Sequence, residues 1–563
     1  MIKNEQLDNS PFIIGLTGHQ DLEPGQFPRL VDAVVSFLVE IKQHLPDTQV
    51  RVMLDAGNDI SLPIARAILA LDISVEALID DVSSGTNALK DLLNHPGFHC
   101  IERAAAKSCA PHDMLIRRSS LLLALWDERS ASVPDDTADH VFRFLGVGGK
   151  QSNTLNSIEI STVVHELDVT ARLVFWVPVR RGTDDSSGNA PESCYLLSAG
   201  DNVLEVQGTM PASLKRRLAE LNEYNLEFRR LAADGGLALS ASLIPTNSED
   251  LAITDASTLE NIDRQFVKAD SLAGYMQQRS DRLFNAFGIA AFTMGLAYLI
   301  YDKITESKLL LMFYMLILFV SLIVYYFLQT KRWFGKYLSY RALAETLRVR
   351  FYLALAGVDR RMQTRQLIAL TGIYRFPGFG WISFVLDSIE PTGAQENHSG
   401  ENDSLRARLV DQAWIEDQYR YFTRKVAAMQ KHRFWIGRLK SGVFLVGLIV
   451  LSAMFMFGGA LHHVDMRTGL PLKNVLTFCS GSLAVVLGVW ELRQNKMAVQ
   501  ELLWQYRNQL SQFQRARTHL KRITSHGRRA EILEELGESS LMEIYLWAIH
   551  RYHREHAPPG ARS

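Results

Sequence analysis

The chain has 563 residues, enough on size alone for three or four folding units. Sixty lysines and arginines against sixty-one aspartates and glutamates leave a formal charge of −1, which excludes a generally basic nucleic-acid coat and an acidic disordered tail. Four scattered cysteines (Cys100, Cys109, Cys194, Cys479) without CxxC spacing argue against a disulfide framework or a structural zinc site, and for a reducing compartment.

The first residues, MIKNEQLDNS, lack the basic, apolar, then small-residue order of a signal peptide, so the N-terminus is expected in the cytoplasm. PFIIGLTG reads as a buried strand running into a glycine turn. Helical spacing follows at Phe27–His44; VRVMLDAGND reads as strand and turn, and ISLPIARAILAL as helix. SSLLLALWD (Ser119–Asp127) and TARLVFWVPV (Thr170–Val179) are further apolar strands, and strands alternating with helices imply an α/β parallel sheet. Arg181–Ala190 reads as a surface loop, Tyr195–Gly208 as a hairpin, Pro211–Ala232 as a charged helix and Asp234–Asp255 as a linker.

Four uncharged runs follow: Leu283–Tyr301, Leu309–Leu328, Ser441–Leu461 and Asn474–Trp490. Each gives roughly 25–31 Å of helix, enough for a hydrocarbon core of about 30 Å. Lys268, Arg279 and Arg282 precede the first run, and Lys331, Arg332 and Lys336 follow the second. Arg438 and Lys440 precede the third, and Arg493 and Lys496 follow the fourth. The positive-inside rule then puts the short connectors Asp302–Lys308 and His462–Lys473 outside and both termini in the cytoplasm. The expectation is four spans as two helical hairpins, with long cytoplasmic helices between and after them.

Those helices are basic. Lys331–Gly380 holds ten Lys or Arg against two acids, and Arg493–Arg529 nine against one. Such charge beside a span attracts anionic headgroups, or it is the ordinary orientation signal on solvated faces. Tyr340–Val358 has helical spacing, RFPGFGW (Arg375–Trp381) reads as a break, and Glu390–Ser404 as a polar stretch without period. Asp411–Trp435 and Gln500–Ile523 are amphipathic helices, and the pairs Tyr340-Arg341 and Tyr506-Arg507 hint at a repeat of the two halves.

In a parallel sheet, ligands bind at the carboxyl ends of strands, where glycine turns expose main-chain N–H groups. Three such ends are readable. In the first, Gly15 and Gly18 let a phosphate approach the main chain, Thr17 offers a hydroxyl and His19 a donor; a purely structural turn with a bracing histidine accounts for it equally. The second is Gly57-Asn58-Asp59, where Asp59 is a ribose ligand or a helix cap. The third is Trp126-Asp127 followed by Asp135-Asp136-Thr137-Ala138-Asp139, with Thr137 placed to cap the next helix. Residues 1–150 carry thirteen basic against twenty-one acidic residues, so a nucleic-acid polymer is not the expected partner.

The order GLTGHQDL, GND, WDE and DDTAD resembles the SLOG superfamily of Rossmann-like domains, related to cytokinin-activating LOG enzymes, whose membrane-linked members read GxTGHRDL, GAD, WDG and GGTxD. The resemblance covers about Pro11–Pro178. Here Gln20 replaces Arg, Asn58 replaces Ala, and Asp135 and Asp136 replace two phosphate-cradling glycines. The PGGxGTxxE signature of the phosphoribohydrolases is absent, which argues against that activity. Over about Phe266–Ile523, YRALAETLRVRFYLALAG and WIEDQYRYF make the chain similar to the SLATT group of membrane effectors of bacterial conflict systems.

The resemblances imply this division: 1–208, a SLOG-like nucleotide sensor; 209–265, helix and linker; 266–380, a first SLATT-like hairpin with its basic helix. The rest is 381–435, linker and cytoplasmic helix; 436–530, a second hairpin with its basic helix; and 531–563, a C-terminal helix and tail. They imply a homo-oligomeric effector of abortive infection in the bacterial inner membrane. Its ligand is a nucleotide messenger, a cyclic oligonucleotide or an NAD-derived molecule, with no other cofactor and no metal. Gly15, Thr17, Gly18, His19, Gly57, Asp59, Trp126, Asp127 and Thr137 are the ligand-binding candidates, and the outcome is a pore or disrupted lipid. Two rivals remain: a membrane-anchored nucleotide or NAD N-glycosidase using Asp59, Asp127 or Asp139, and a passive scaffold binding a partner protein.

Overall fold

The computed structural model describes residues 10–19, 21–57, 60–79, 87–102, 111–129, 136–146, 159–161, 172–181, 192–200, 203–244, 256–358, 378–389, 400–457, 471–496, 499–523 and 525–556. The expected loop at 182–190, most of the polar stretch 390–404 and most of the connector 462–473 lie outside these residues. The chain divides into two units: residues 1–271 with 343–403, and residues 272–342 with 404–563. That division differs from the six sequence segments, because residues 343–403 go with the sheet.

The first unit is built on a mixed sheet with nine strands among the described residues, in the order β4-β3-β2-β1-β5-β7-β8-β9-β6. The strands are β1 (Phe12–Gly18), β2 (Val50–Asp55), β3 (Ser74–Ile79), β4 (Phe98–Glu102) and β5 (Leu121–Trp126). They continue with β6 (Glu159–Ser161), β7 (Leu173–Pro178), β8 (Cys194–Gly200) and β9 (Val203–Gln207). β4 through β7 in that order are mutually parallel, and β8 runs antiparallel to β7 and β9. Helices α1 (Phe27–His44), α2 (Ser61–Leu69), α3 (Asn87–Leu93), α4 (Pro111–Arg118) and α5 (Thr137–Leu145) alternate with the strands.

All six side chains of β5 are buried, the pattern of a central parallel strand covered on both faces. Ile13, Met53, Leu122, Ala124, Trp126 and Val174 point to one face and pack with Leu115 of α4 and Val141 and Phe142 of α5. On the other face Phe37 of α1 stacks on Phe175 of β7 at 4.1 Å between centroids. α1 forms because Leu30, Val34, Phe37, Leu38 and Ile41 recur every three or four residues, with Pro in its first turn and Lys42 and His44 in its last. Burying each such side chain stabilises the fold by about 1.5–3 kcal/mol.

Two later segments complete this core. α6 (Ala212–Ala233) buries Leu214, Leu218, Leu221, Tyr224 and Phe228. The helix Ile382–Ser388, which follows the Pro/Gly-containing break, is buried at every position. Phe384 meets Phe12 of β1 edge-on at 5.0 Å, and Trp381 lies 4.6 Å from the Tyr224 ring. The Arg217 guanidinium lies 4.3 Å over Phe384 and donates to the Gly380 carbonyl at 3.0 Å.

Lys268 corrects the sequence reading. It was expected to flank a span as an orientation charge, yet it is fully buried in the first unit, donating to Asn225 Oδ1 at 2.6 Å with its ammonium 4.4 Å over Tyr224. A lysine on the same helix satisfies the positive-inside count, but it stands fifteen residues, about four turns, before the uncharged run, far enough back to lie in a core.

The second unit is helical. Among the described residues, four helices are long and apolar enough to cross a membrane: Thr258–Lys303, Lys308–Tyr326, Leu405–Met456 and Leu472–Glu491. Their apolar side chains face outward; Leu309 is 73 % and Phe455 92 % exposed, which water does not favour and lipid does. Such helices suggest a membrane protein. The third of these helices contains a π-helical turn, Val410–Glu416, whose Trp414 is buried edge-on against Phe513. Phe422 stacks on the same Phe513 ring, pinning this helix to Val499–Leu520.

Candidate functional site

The strand order reverses between β1 and β5: from β1 the chain steps to β2, β3 and β4 on one side, then to β5 and β7 on the other. In doubly wound sheets this reversal opens a crevice at the carboxyl edge, the usual place for a ligand. Thr17, Gly18 and His19 end β1, and Trp126 and Asp127 end β5, so the sequence motifs fall at this point.

His19 is the centre of the arrangement. Its Nε2 lies 2.9 Å from Asp127 Oδ1 and its Nδ1 3.3 Å from Asp136 Oδ1, and the side chains of His19 and Asp127 are only 4 % and 3 % exposed. Its main-chain N–H donates to the Leu125 carbonyl at 3.3 Å. One imidazole thus ties together the ends of β1 and β5 and the start of α5, which is the bracing role for a histidine in this turn. Asp127 Oδ2 accepts no hydrogen bond among the described residues, with Arg129 Nε and an Arg181 terminal nitrogen each at 3.9 Å.

Asp136, not Thr137, caps α5. Asp136 has extended backbone and its carboxylate accepts the Thr137 N–H at 2.7 Å, while Thr137 is the first helical residue and buried. Aspartate is among the strongest N-cap residues, and here the cap and the His19 partner are one carboxylate. The sequence signal was the DDT triplet ahead of the helix, where either residue type could cap.

Thr17 Oγ1 lies 2.8 Å from His140 Nδ1, and both side chains are buried, so this hydroxyl is engaged inside the fold. Trp126 is a core residue: it packs against Trp176 at 5.8 Å and Phe142 at 5.6 Å and donates its indole N–H to the Arg129 carbonyl. Gly15 and Gly18 are accounted for by packing. A Cβ on Gly15 would stand 2.3 Å from Ser119 Oγ and 2.9 Å from Leu115, and one on Gly18 2.8 Å from Leu125 Cβ.

Gly57 lies in an exposed turn at the end of β2, its N–H donating to Asp55 Oδ1 at 2.9 Å. Asp59, Asn58, Gln20 and Asp135 lie outside the described residues. Asp139 is in the first turn of α5, beside Arg143 at 3.5 Å.

The sequence reading passed over Arg181. Its Nε donates to Asp21 at 2.8 Å, and Leu22 bridges Arg181 main chain to main chain, so the segment after β7 closes on the segment after β1. Partial burial, the largest single influence, opposes ionisation of Asp21, but the Arg181 hydrogen bond and charge, the residue's own main-chain hydrogen bond and His19 together hold the carboxyl below its usual value. The same hydrogen bond raises Arg181 against its own desolvation. The resulting edge is acidic, with Asp21, Asp127 and Asp136 near the Arg181 guanidinium, Arg129 beside Asp127, and Asp55 at the end of the neighbouring β2. It suits the hydroxyls of a ribose better than a chain of phosphates. No group of three metal-ligating side chains occurs among the described residues.

Comparison with known protein families, with characterised proteins and with solved structures gives no match to this chain.

Proposed function

We propose that the sheet-bearing unit binds a small nucleotide and that binding alters how the apolar helices act on a membrane. The observation that carries this reading is the meeting of the motif segments at the ends of β1 and β5 at the reversal of strand order, where His19 ties them to Asp127 and Asp136 in a fixed geometry. Asp55, at the end of the second strand, occupies the place where such sheets hydrogen-bond ribose hydroxyls. Arg129 and Arg181 are the cations nearest the crevice for a phosphate.

With the SLOG and SLATT resemblances, the reading becomes a membrane effector of bacterial antiviral defence, triggered by a nucleotide messenger and acting as a homo-oligomer in the inner membrane. The four apolar runs then form two hairpins with both termini inside. They contain no charged residue, which disfavours a proton relay or pump and favours a poorly selective leak. The shift between resting and active states is limited to the messenger's preference for the active one.

The test uses the full chain in mild detergent, because residues 343–403 belong to the sheet-bearing unit and a fragment ending before them would lack part of its core. Thermal shifts are recorded against cyclic oligonucleotides, ADP-ribose derivatives and mononucleotides, with chromatography of each ligand afterwards. A saturable shift with intact ligand, weakened about tenfold by Arg181→Ala, supports the sensor. A consumed ligand replaces it with the N-glycosidase, and no shift with a folded protein leaves the scaffold.

A further inference from the structure

In the second unit, Arg433, Arg438 and Arg507 have no carboxylate partner among the described residues. They share one open cleft of about 600 Å³ with Gln430, Phe434 and Ser441, between the helix Asp417–Met456 and the helix Val499–Leu520. Residues 430, 433, 434, 438 and 441 stand at i, i+3, i+4, i+8 and i+11, so they form one helix face. Glu491, the carboxylate beside Lys440, is already taken up by that lysine. Like charges gathered without a counter-ion repel one another, and an anion in the cleft relieves the repulsion.

We propose that this cleft holds the headgroup phosphate of an anionic phospholipid, an inference that rests on the helices spanning a bilayer. Three planar guanidinium forks match phosphate oxygens, and the Gln430 amide and Ser441 hydroxyl supply neutral donors. The Arg438 guanidinium sits 4.3 Å over the Phe434 ring, which holds it towards the cleft at little entropic cost.

Position selects lipid over a free phosphate. Arg438 stands three residues, about 5 Å along the axis, before the uncharged run that begins at Ser441. Trp435 and Trp504 at the same level are 60 % and 67 % exposed. Large exposed rings beside arginines at the foot of an apolar helix mark the boundary between headgroups and water. A soluble anion needs none of those rings; a lipid uses them, with its phosphate in the cleft and its chains along the apolar helix.

The full chain is purified in mild detergent and reconstituted in nanodiscs of phosphatidylcholine doped with phosphatidylglycerol, and co-purifying lipid is quantified by mass spectrometry. Selective retention of phosphatidylglycerol is expected. It falls about fivefold in each of Arg433→Gln, Arg438→Gln and Arg507→Gln, and is unchanged in Arg522→Gln, an exposed arginine away from the cleft. An equal loss in Arg522→Gln, or no selectivity, overturns the site in favour of diffuse surface charge. Displacement of phosphatidylglycerol by inorganic phosphate or glycerophosphate at equal concentration overturns the lipid as the source. Alkaline carbonate extraction separates the premises: release of wild-type protein from membranes removes the spanning reading and this proposal with it, whereas firmly held protein without selective lipid removes the proposal alone.

Discussion

The two units place the same residue types in opposite positions. In the sheet-bearing unit charged groups lie inside and are held there. Glu76 is buried between Arg51 at 3.0 Å and Arg118 at 3.1 Å, and Arg217 donates to Gly380 and Ser383. In the second unit leucines and phenylalanines of four helices face outward among the described residues, and three hydroxyls on these helices, of Thr293, Thr477 and Ser480, turn back on their own helix. Thr293 donates to the Ile289 carbonyl at 2.9 Å and Thr477 to Lys473 at 2.8 Å. The difference is one of solvent. Water rewards apolar burial and tolerates an interior charge only with partners, whereas lipid accepts apolar surface but obliges each polar atom to find its bond within the helix.

The comparison breaks most readily at Asn225. Its amide donates to the Ser10 carbonyl at 3.0 Å and Thr48 at 2.8 Å, and its oxygen accepts from the Ser10 N–H and the Lys268 ammonium. Asn225→Leu removes four bonds at once around a buried cation and should cost about 3–5 kcal/mol, read as a fall in denaturant midpoint. Lys268→Met, which removes the charge itself, should cost much less. A larger loss for the methionine variant would mean the ammonium stabilises the core outright.

The lipid side of the contrast is tested at Leu316, 59 % exposed in the second apolar run. On a water-facing helix Leu316→Arg is worth no more than about 0.5 kcal/mol. At the centre of a bilayer it costs about 2.5–3.5 kcal/mol. The expected result is a sharp drop in the carbonate-resistant fraction; unchanged insertion would place that helix in water.

A smaller effect sharpens the picture within the second unit, outside the apolar runs. Glu543 is partly buried and accepts from Asn508. Burial lifts its pKa to about 7, against a hydrogen bond from Gln509 that works the other way. A carboxyl raised in the folded state is at no disadvantage in acid, and its cost to stability grows as pH climbs from the usual carboxylate range to about 7. Glu543→Gln should therefore stabilise the protein at pH 8 by about 1–2 kcal/mol, discounting for partial exposure, and lose its advantage by about pH 5. A melting-temperature difference that does not change with pH would assign the gain to packing.

What the sequence revealed follows the length and purity of its patterns. β1, β2, β5, β7 and the hairpin of β8 and β9 are apolar runs bounded by turns, and α1 has an undisturbed period, so all were legible. β3 and β4, SVEALI and FHCIE, are short runs interrupted by Glu76, His99 and Glu102, and neither stood out. The candidate residues at the ends of β1 and β5 were found because glycine and aspartate punctuate strand ends. Asp136 and Arg181 were missed as partners because their contacts, to His19 and Asp21, join segments more than a hundred residues apart. The return of Ile382–Ser388 to the sheet was hidden for the same reason: a seven-residue, mostly apolar stretch after a Pro/Gly turn carries no sign of what it will cover.

That return has a consequence for the order of events on the ribosome. Phe12 and Phe384 touch across 372 positions of chain, and both apolar helices of the first pair are made in between. At 5–20 residues per second, roughly 20–75 s separate the synthesis of the two rings. Throughout that interval the first strand lacks the helix Ile382–Ser388 that covers it. The unit at the start of the chain is therefore finished only after the first pair of apolar helices has left the ribosome.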